Sequence, residues 1–391
     1  MSKLPLENIK VIEFSHMVMG PSAGMMLADL GAEVIKIEPI GGDKTRNLKG
    51  SGAGYFAMYN RNKKSVCIDM KSKEGHTIIS ELVKDADVVI ENFRAGALEA
   101  IGYGYEELSK INSRLIYMSA RGFLKGPYEN RTALDEVAQM MGGLAYMTGP
   151  SNRPLRAGAS VIDVMGGMFG VIGILSALQQ RNSSNEGQQV TSSLFESTVF
   201  LMGQHMAQHA VTGEPAAPMP ERISAWAIYD VFEVKNNEKL FVAVVSDSQW
   251  VKFCESFEFE EFVSNAELAT NGQRVFKRDM ILSVVREKFK QLELNELCDR
   301  LKTIGLPYAP INRPQDLVQD PHLSESDGLL TVDLGAGKTA DLPALPLEFA
   351  SKRLGLRLNI PSIGEHTPEV LKEVGYSDQE VKDFIAKNVA G

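Results

Sequence analysis

The sequence predicts an α/β protein: a doubly wound, mainly parallel, Rossmann-like sheet with a second, smaller α+β domain. Three observations predict it. The first third alternates β-branched runs with helical stretches, the rhythm of βαβ units. A Pro-rich connector, Gly213-Glu-Pro-Ala-Ala-Pro-Met-Pro220, then interrupts the chain. Beyond it the texture changes to two strands and several charged helices.

The elements follow in order. Residues 9–14 form a β-branched strand, and Gly20-Pro21 opens a helix that ends at Leu30-Gly31, a glycine C-cap. Further strands are expected at 32–37, 65–68, 87–90 and 115–119, with helices at 73–83 and 105–111 between them. Residues 134–180 read mostly as helix. Within them Ile162, Met165, Phe169, Ile172 and Leu175 recur at spacings of three and four, which predicts one buried apolar face. A strand at 189–192 and a helix at 194–212 complete this part. After the connector, strands at 227–234 and 239–245 join through a Lys-Asn-Asn-Glu turn, and helices fill 249–303. The tail holds short strands and two helices, 369–374 and 378–388. The expected large domain therefore comprises 1–212 and 330–391, the linker 213–225, and the small domain 226–329.

Composition narrows the function. The chain has 391 residues, 44% of them hydrophobic, enough for a large core. The formal net charge is −9, and Lys and Arg are mixed with acids, so no basic face predicts nucleic-acid binding. Cys67, Cys254 and Cys298 form no CxxC pair. That argues against a disulfide framework or a zinc site and for a reducing, cytoplasmic setting. No apolar signal segment opens the chain. The longest uncharged apolar run, 164–178, is shorter than a membrane span and reads as a buried helix, so no membrane partner is expected.

Common nucleotide and hydrolase motifs are absent. The turn after the first strand reads His16-Met-Val-Met-Gly20-Pro-Ser-Ala-Gly24, which is not GxGxxG, and Gly102-Tyr-Gly104 lacks a third glycine. There is no Walker A loop, HExxH or GxSxG, and no metal site is expected. Ser160-Val-Ile-Asp163 fits a capping box before an apolar helix. On that reading Asp163 lies in a first helical turn, whose dipole helps keep it ionised.

Several segments occur in an order that resembles the class III CoA-transferases, the family of formyl-CoA transferase and carnitine CoA-transferase. Gly20-Pro21 precedes Leu27-Ala-Asp-Leu-Gly-Ala-Glu-Val-Ile-Lys-Ile-Glu38 and Gly42-Asp43. Asn60-Arg-Asn-Lys-Lys-Ser65 precedes Asp69-Met-Lys71, and Glu91-Asn-Phe-Arg94 ends a strand. Then come Gly126-Pro127, Asp135, Ala138-Gln139, Pro154-Leu-Arg-Ala-Gly158 with Asp163, and Gly364-Glu-His-Thr367.

The resemblance implies that Asp163 is a nucleophile. It would carry the acyl group as a mixed anhydride and CoA as an aspartyl thioester, splitting one difficult exchange into easier steps. It also implies that Met17, Val18 and Met19 lie beside the thioester, and that Ile68, Lys71, Asn92, Phe93 and Arg94 bind CoA. Lys71 and Arg94 meet phosphates on this reading and are solvated surface charges on the plainer one. Arg46 and Lys63 are further candidate anion contacts, and His16 is a structural or a site histidine. Val18 stands where some members carry a glutamine, and Ala100 where formyl-CoA transferase has a basic residue.

The implied substrates are an acyl-CoA and small carboxylic acids, with CoA thioester as substrate and no permanently bound cofactor. An interlocked homodimer is implied as well. Arg222 near Trp226 suggests a dicarboxylic acyl group, of succinyl type or a methyl-branched C5 unit. The alternatives are an α-methylacyl-CoA racemase, whose histidine position is Leu134 here, and a non-catalytic CoA-binding protein.

Overall fold

A computed structural model describes residues 3–391. They form two compact units. One runs to Pro220 and resumes over Pro321–Gly391, and the other is Glu221–Asp320. Residues 213–220 of the Pro-rich connector thus run with the larger unit, as do residues 321–329.

In the larger unit, strands β1 (Lys10–Phe14), β2 (Glu33–Glu38), β3 (Lys63–Cys67), β4 (Val88–Glu91), β5 (Ile116–Arg121) and β6 (Gln188–Ser193) form one sheet. Its order is β3-β2-β1-β4-β5-β6, and every pairing is parallel. A parallel sheet is covered on both faces, which is why these strands read as apolar runs rather than alternating ones. Ile12, Ile35, Val66, Val89 and Tyr117 form one core layer with the helix Lys73–Lys84 and the C-terminal helices Thr367–Glu373 and Asp378–Ala386. Val11, Val34, Val88, Ile116 and Met118 form the other.

The helices of the larger unit include α1 (Met19–Asp29), α2 (Tyr55–Tyr59), α3 (Lys73–Lys84), α4 (Tyr105–Ile111), α5 (Asp135–Met141), α6 (Leu144–Thr148), α7 (Val161–Ser184) and α8 (Leu194–Thr212). Helix α1 ends as expected, with Gly31 at a φ of 113°. Between 134 and 180 the helix is broken. Gly143 has a φ of 86°, and 149–160 is irregular chain rich in Gly and Pro.

The predicted apolar face of α7 also needs correcting. Ile172 is 56% exposed and Leu175 37%. Ile162 is buried as expected, but the rest of the buried face is Gly166, Gly167 and Gly170 with Val171, Ile174 and Leu178. A Cβ on Gly166 would lie 2.6 Å from the Met19 side chain, and one on Gly167 would lie 2.9 Å from the Met19 carbonyl oxygen. One on Gly170 would lie 2.0 Å from Met118. Periodicity weighs only large apolar residues, whereas α7 is seated by glycines as well as by Ile162, Val171 and Ile174. By length and hydropathy α7 could cross a membrane, but this glycine face is packed on α1 and the sheet.

In the smaller unit, β7 (Tyr229–Glu233), β8 (Lys239–Ala243) and β9 (Tyr308–Pro310) form an antiparallel sheet. Helices at Asp247–Ser256, Arg278–Phe289 and Leu294–Thr303 enclose a core of Phe232, Trp250, Phe253, Phe257 and Phe289. In the larger unit, β10 (Leu329–Gly335) and β11 (Lys338–Pro343) form a hairpin.

Candidate active site

The strand order reverses direction between β1 and β4, and in doubly wound sheets ligands bind beyond the strand ends at that point. A cavity of about 570 Å³ lies there. Its walls include His16–Met19 after β1, Asn92–Arg94 after β4, and Arg121 at the end of β5. Residues 129–136 and Asp163 of α7 complete the lining.

The loop after β1 is clamped from several sides. Asn92 accepts a hydrogen bond from the His16 amide at 3.0 Å and donates to the His16 carbonyl at 2.7 Å. Thr45 accepts from the Met17 amide at 3.0 Å. Below the loop, the wholly buried Lys36 donates to the Ser15 carbonyl and Lys63 to the Pro21 carbonyl. Glu13 ion-pairs with both lysines, at 3.5 and 2.7 Å. Burial pulls Lys63 down to about 8, against the opposing pull of Glu13. These clamps hold Met17 at a φ of 62°, a conformation a non-glycine residue rarely adopts.

Val18 follows as the N-cap of α1, with no side-chain cap. Among the described residues nothing accepts from the amides of Val18, Met19 and Gly20. Unsatisfied amides at a helix start are ready donors for an anionic oxygen.

Asp163 occupies the first turn of α7 and is half-buried. The capping box expected there does not form. Ser160 makes no cap bond, and its hydroxyl lies 3.5 Å from that of Tyr55. The cap comes from another helix instead. Asp135, at the start of α5, accepts from the amides of Ile162 at 2.9 Å and Asp163 at 3.2 Å. Its other oxygen accepts from Gln139 at 2.6 Å and Arg156 at 3.3 Å. Gln139 in turn accepts from the Ala157 amide at 2.8 Å.

The Asp163 carboxylate itself accepts no hydrogen bond among the described residues. Burial, followed by the neighbouring Asp135 charge, pushes its pKa up to about 7, with Arg156 opposing. The helix dipole expected to favour its ionised form is outweighed.

The structure gathers Met17, Val18, Met19, Asn92, Phe93, Arg94 and Asp163 on one cavity. Ile68 and Lys71 lie elsewhere. Ile68 is wholly buried in the core with Val370 and Val389, while Lys71 is exposed on the turn before α3. Two expected anion contacts are corrected. Lys63 is committed to Glu13, and Arg46 pairs with Glu38 at 2.6 Å. His16 packs its ring against Phe93 at 5.3 Å, and burial holds its pKa below the usual value.

Sequence reasoning gave no role to Asp135, Arg121, Arg156, Tyr55 or Tyr59. Arg121 ion-pairs with Glu91 and donates to the Phe93 carbonyl at 3.1 Å, bracing the second wall. Burial raises the Glu91 carboxyl against that pairing. The Asp135/Gln139 spacing of four was the one available signal, since it sets both side chains on one face of α5.

The sequence profile of CoA-transferase family III matches residues 6–367. The chain belongs to this family. It is therefore an enzyme that moves CoA between an acyl-CoA and a carboxylic acid, with CoA thioesters as substrates.

Among the relatives of this CoA-transferase is the succinate–glutarate CoA-transferase of Agrobacterium fabrum. It is 32% identical, the match covering 95% of this chain and 96% of the relative. The succinyl-CoA:mesaconate CoA-transferase of Haloarcula marismortui is 30% identical, covering 95% and 96%. In structure, the CoA-transferase is similar to a CAIB/BAIF family protein from Brucella suis. The TM-score is 0.86 at 32% identity, over 95% of this chain and all of that one.

Proposed function

We propose that this enzyme transfers CoA between dicarboxylic acids and uses Asp163 as its nucleophile. The observation that carries the reading is a carboxylate without hydrogen-bond partners, on the switch-point cavity, held by a helix cap supplied from Asp135. Asp163 attacks the donor thioester carbonyl, forming a mixed anhydride and releasing the CoA thiolate. The thiolate attacks the aspartyl carbonyl, forming an aspartyl-CoA thioester and releasing the donor acid. The acceptor carboxylate then attacks that thioester, and the returning thiolate takes the new acyl group. No step needs water, and each intermediate preserves acyl activation. The uncapped amides of α1 are suited to the oxyanion on the substrate carbonyl.

Support for dicarboxylic substrates comes from the names of the relatives and from the cavity's cations. Arg121 and Arg156 are committed to acids, whereas Arg94 and Arg131 make no ion pair among the described residues. These two are suited to a phosphate and to a second carboxylate. Met17, Val18, Met19, Asn92, Phe93 and Arg94 line the path assigned to the thioester arm of CoA. Lys71, exposed before α3, is assigned to its distal end; Ile68 is wholly buried, its amide bonded to the Glu38 carbonyl, and is not available to CoA. Leu134 is 65% exposed on the same cavity and brings no base for proton transfer at carbon, which counts against racemisation.

We also propose a homodimer and a cytoplasmic location. Met168 and Ile172 on α7 are 49% and 56% exposed, and Phe200 and Met206 on α8 are 71% and 60% exposed, a large apolar area for a surface. All three cysteines are free thiols. Cell fractionation tests the location, and recovery of the activity from a membrane or secreted fraction would contradict it.

The substrate test is a screen of succinyl-CoA against glutarate, mesaconate and acetate, with product masses read out. Glutaryl- or mesaconyl-CoA is expected, and Asp163→Ala should lose at least about 10³-fold in rate. Transfer to acetate alone, or an active Asp163→Ala, overturns the proposal.

A further inference from the structure

Strands β1 and β4 are neighbours in the sheet, and beyond their ends the two chains part around the switch-point cavity. Main-chain pairing between them stops with the Asn92 amide, which donates to the Phe14 carbonyl at 3.3 Å. The Asn92 side chain carries the pairing further. It accepts from the His16 amide at 3.0 Å and donates to the His16 carbonyl at 2.7 Å, the kind of bonds a neighbouring strand would supply. Asn92 lines the cavity, and the family resemblance counts it among the CoA contacts. Both polar atoms of its carboxamide are instead engaged with the protein's own chain.

His16 opens the loop that leads into α1. The next residue, Met17, has a φ of 62°, which a non-glycine residue adopts only where its surroundings impose it. Thr45 holds the Met17 amide and Lys36 the Ser15 carbonyl, so Asn92 supplies two of the four bonds that pin this main chain. Asn92 also packs against the far end of the loop. A Cβ on Gly20 would lie 3.0 Å from the Asn92 Cγ, so the second residue of α1 rests on the same side chain. Asn92 thus meets both ends of the segment whose amides, Val18 to Gly20, find no acceptor among the described residues. Val18 brings no side-chain donor, so main-chain groups must meet an oxyanion here, and the clamp sets where they lie.

We propose that Asn92 is a positioning residue of CoA transfer: through the His16 main chain it sets the α1 amides where the thioester oxygen becomes an oxyanion. The proposal rests on the reading above, in which Asp163 attacks the thioester and those amides hold the resulting charge. When the Asp163 oxygen adds to the thioester carbonyl carbon, the carbonyl electron pair moves onto its oxygen. The pair returns as the C–S bond breaks and the thiolate leaves. Donors displaced by about 1 Å lose much of their hold on that charge, which costs about 10²-fold in rate. The bound thioester in its ground state carries no such charge, so the loss falls on the chemical step and not on binding.

The test is Asn92→Ala. Enzyme and saturating succinyl-CoA are mixed without acceptor, the protein-bound CoA adduct is followed by mass, and binding of free CoA is measured by calorimetry. The expected result is adduct formation slowed about 10²-fold at saturation, with CoA affinity unchanged. A side chain that contacts CoA would instead weaken CoA binding and leave the saturated rate near wild type. A merely structural one would lower only the melting temperature, and either result overturns the proposal. Where Asn92→Ala does not fold, Asn92→Asp keeps the shape and the bond from the His16 amide but turns an acceptor toward the His16 carbonyl. Its saturated adduct rate should also fall at neutral pH, and a wild-type rate there overturns the role. A wild-type enzyme that forms no CoA adduct would overturn the aspartyl reading itself, a separate failure that is visible before any variant is made.

Discussion

Asp163 sits where its own charge is disfavoured. Its pKa of about 7, against an ordinary 3.8, has two causes: burial and the carboxylate of Asp135. A nucleophile must be ionised, so kcat/KM should rise with pH through about 7 and level off above it. Asp135→Asn removes the neighbouring charge and should move that limb down by roughly one unit. A limb that stays in place would mean that another group sets it. The same shift predicts stability. The folded state holds the proton between pH 3.8 and about 7, where the unfolded state has lost it, so stability falls as pH rises through that window. Asp163→Asn should therefore be stabilising, with a gain that grows up to about pH 7 and then stays constant, at most about 4 kcal/mol. Denaturant melts at pH 5 and pH 8 measure this, and equal gains at both would contradict the cause assigned. The proposed nucleophile stood out in the sequence because its segment resembles a family. Its environment did not, because Asp135 is 28 residues away and reaches it only through the packing of α5 on α7.

At the scale of elements, the strands were legible because a sheet buried on both faces leaves continuous β-branched runs. The switch point between β1 and β4 was not, because strand order is a property of pairing rather than of any one segment. Helix α7 shows a different limit. Residues 161–180 read correctly as helix, but apart from Ile162 the buried face did not, because Gly166, Gly167 and Gly170 carry no hydropathy signal and still lie on the packed side. Gly167 lets α7 approach α1 closely enough to set Asp163 beside the start of that helix. Gly167→Ala puts a methyl group 2.9 Å from the Met19 carbonyl and 2.3 Å from the Ser22 hydroxyl. It should cost about 1–3 kcal/mol of stability and lower kcat by separating the two helices. An alanine variant with wild-type melting and turnover would show that the helices have room. Lys63 and Arg46 make the same point about charge. Both looked free in the sequence, and both are held by acids of other elements, Glu38 of β2 and Glu13 of β1.

At the scale of the whole molecule, the exposed apolar residues of α7 and α8 predict association. Light scattering should give about twice the chain mass of 42.9 kDa, and Phe200→Asp should reduce it. A wild-type monomer at micromolar concentration would remove that expectation. On the proposed reading the chemistry converges on one atom group: the clamped loop after β1, the cap from Asp135 and the packing of α1 on α7 all surround the Asp163 carboxylate. The most direct test is to incubate the enzyme with succinyl-CoA, trap with hydroxylamine and map the modified residue by peptide mass. A hydroxamate on Asp163, lost in Asp163→Asn, is expected. A hydroxamate on another residue, or transfer activity without any trapped residue, would contradict Asp163 as nucleophile.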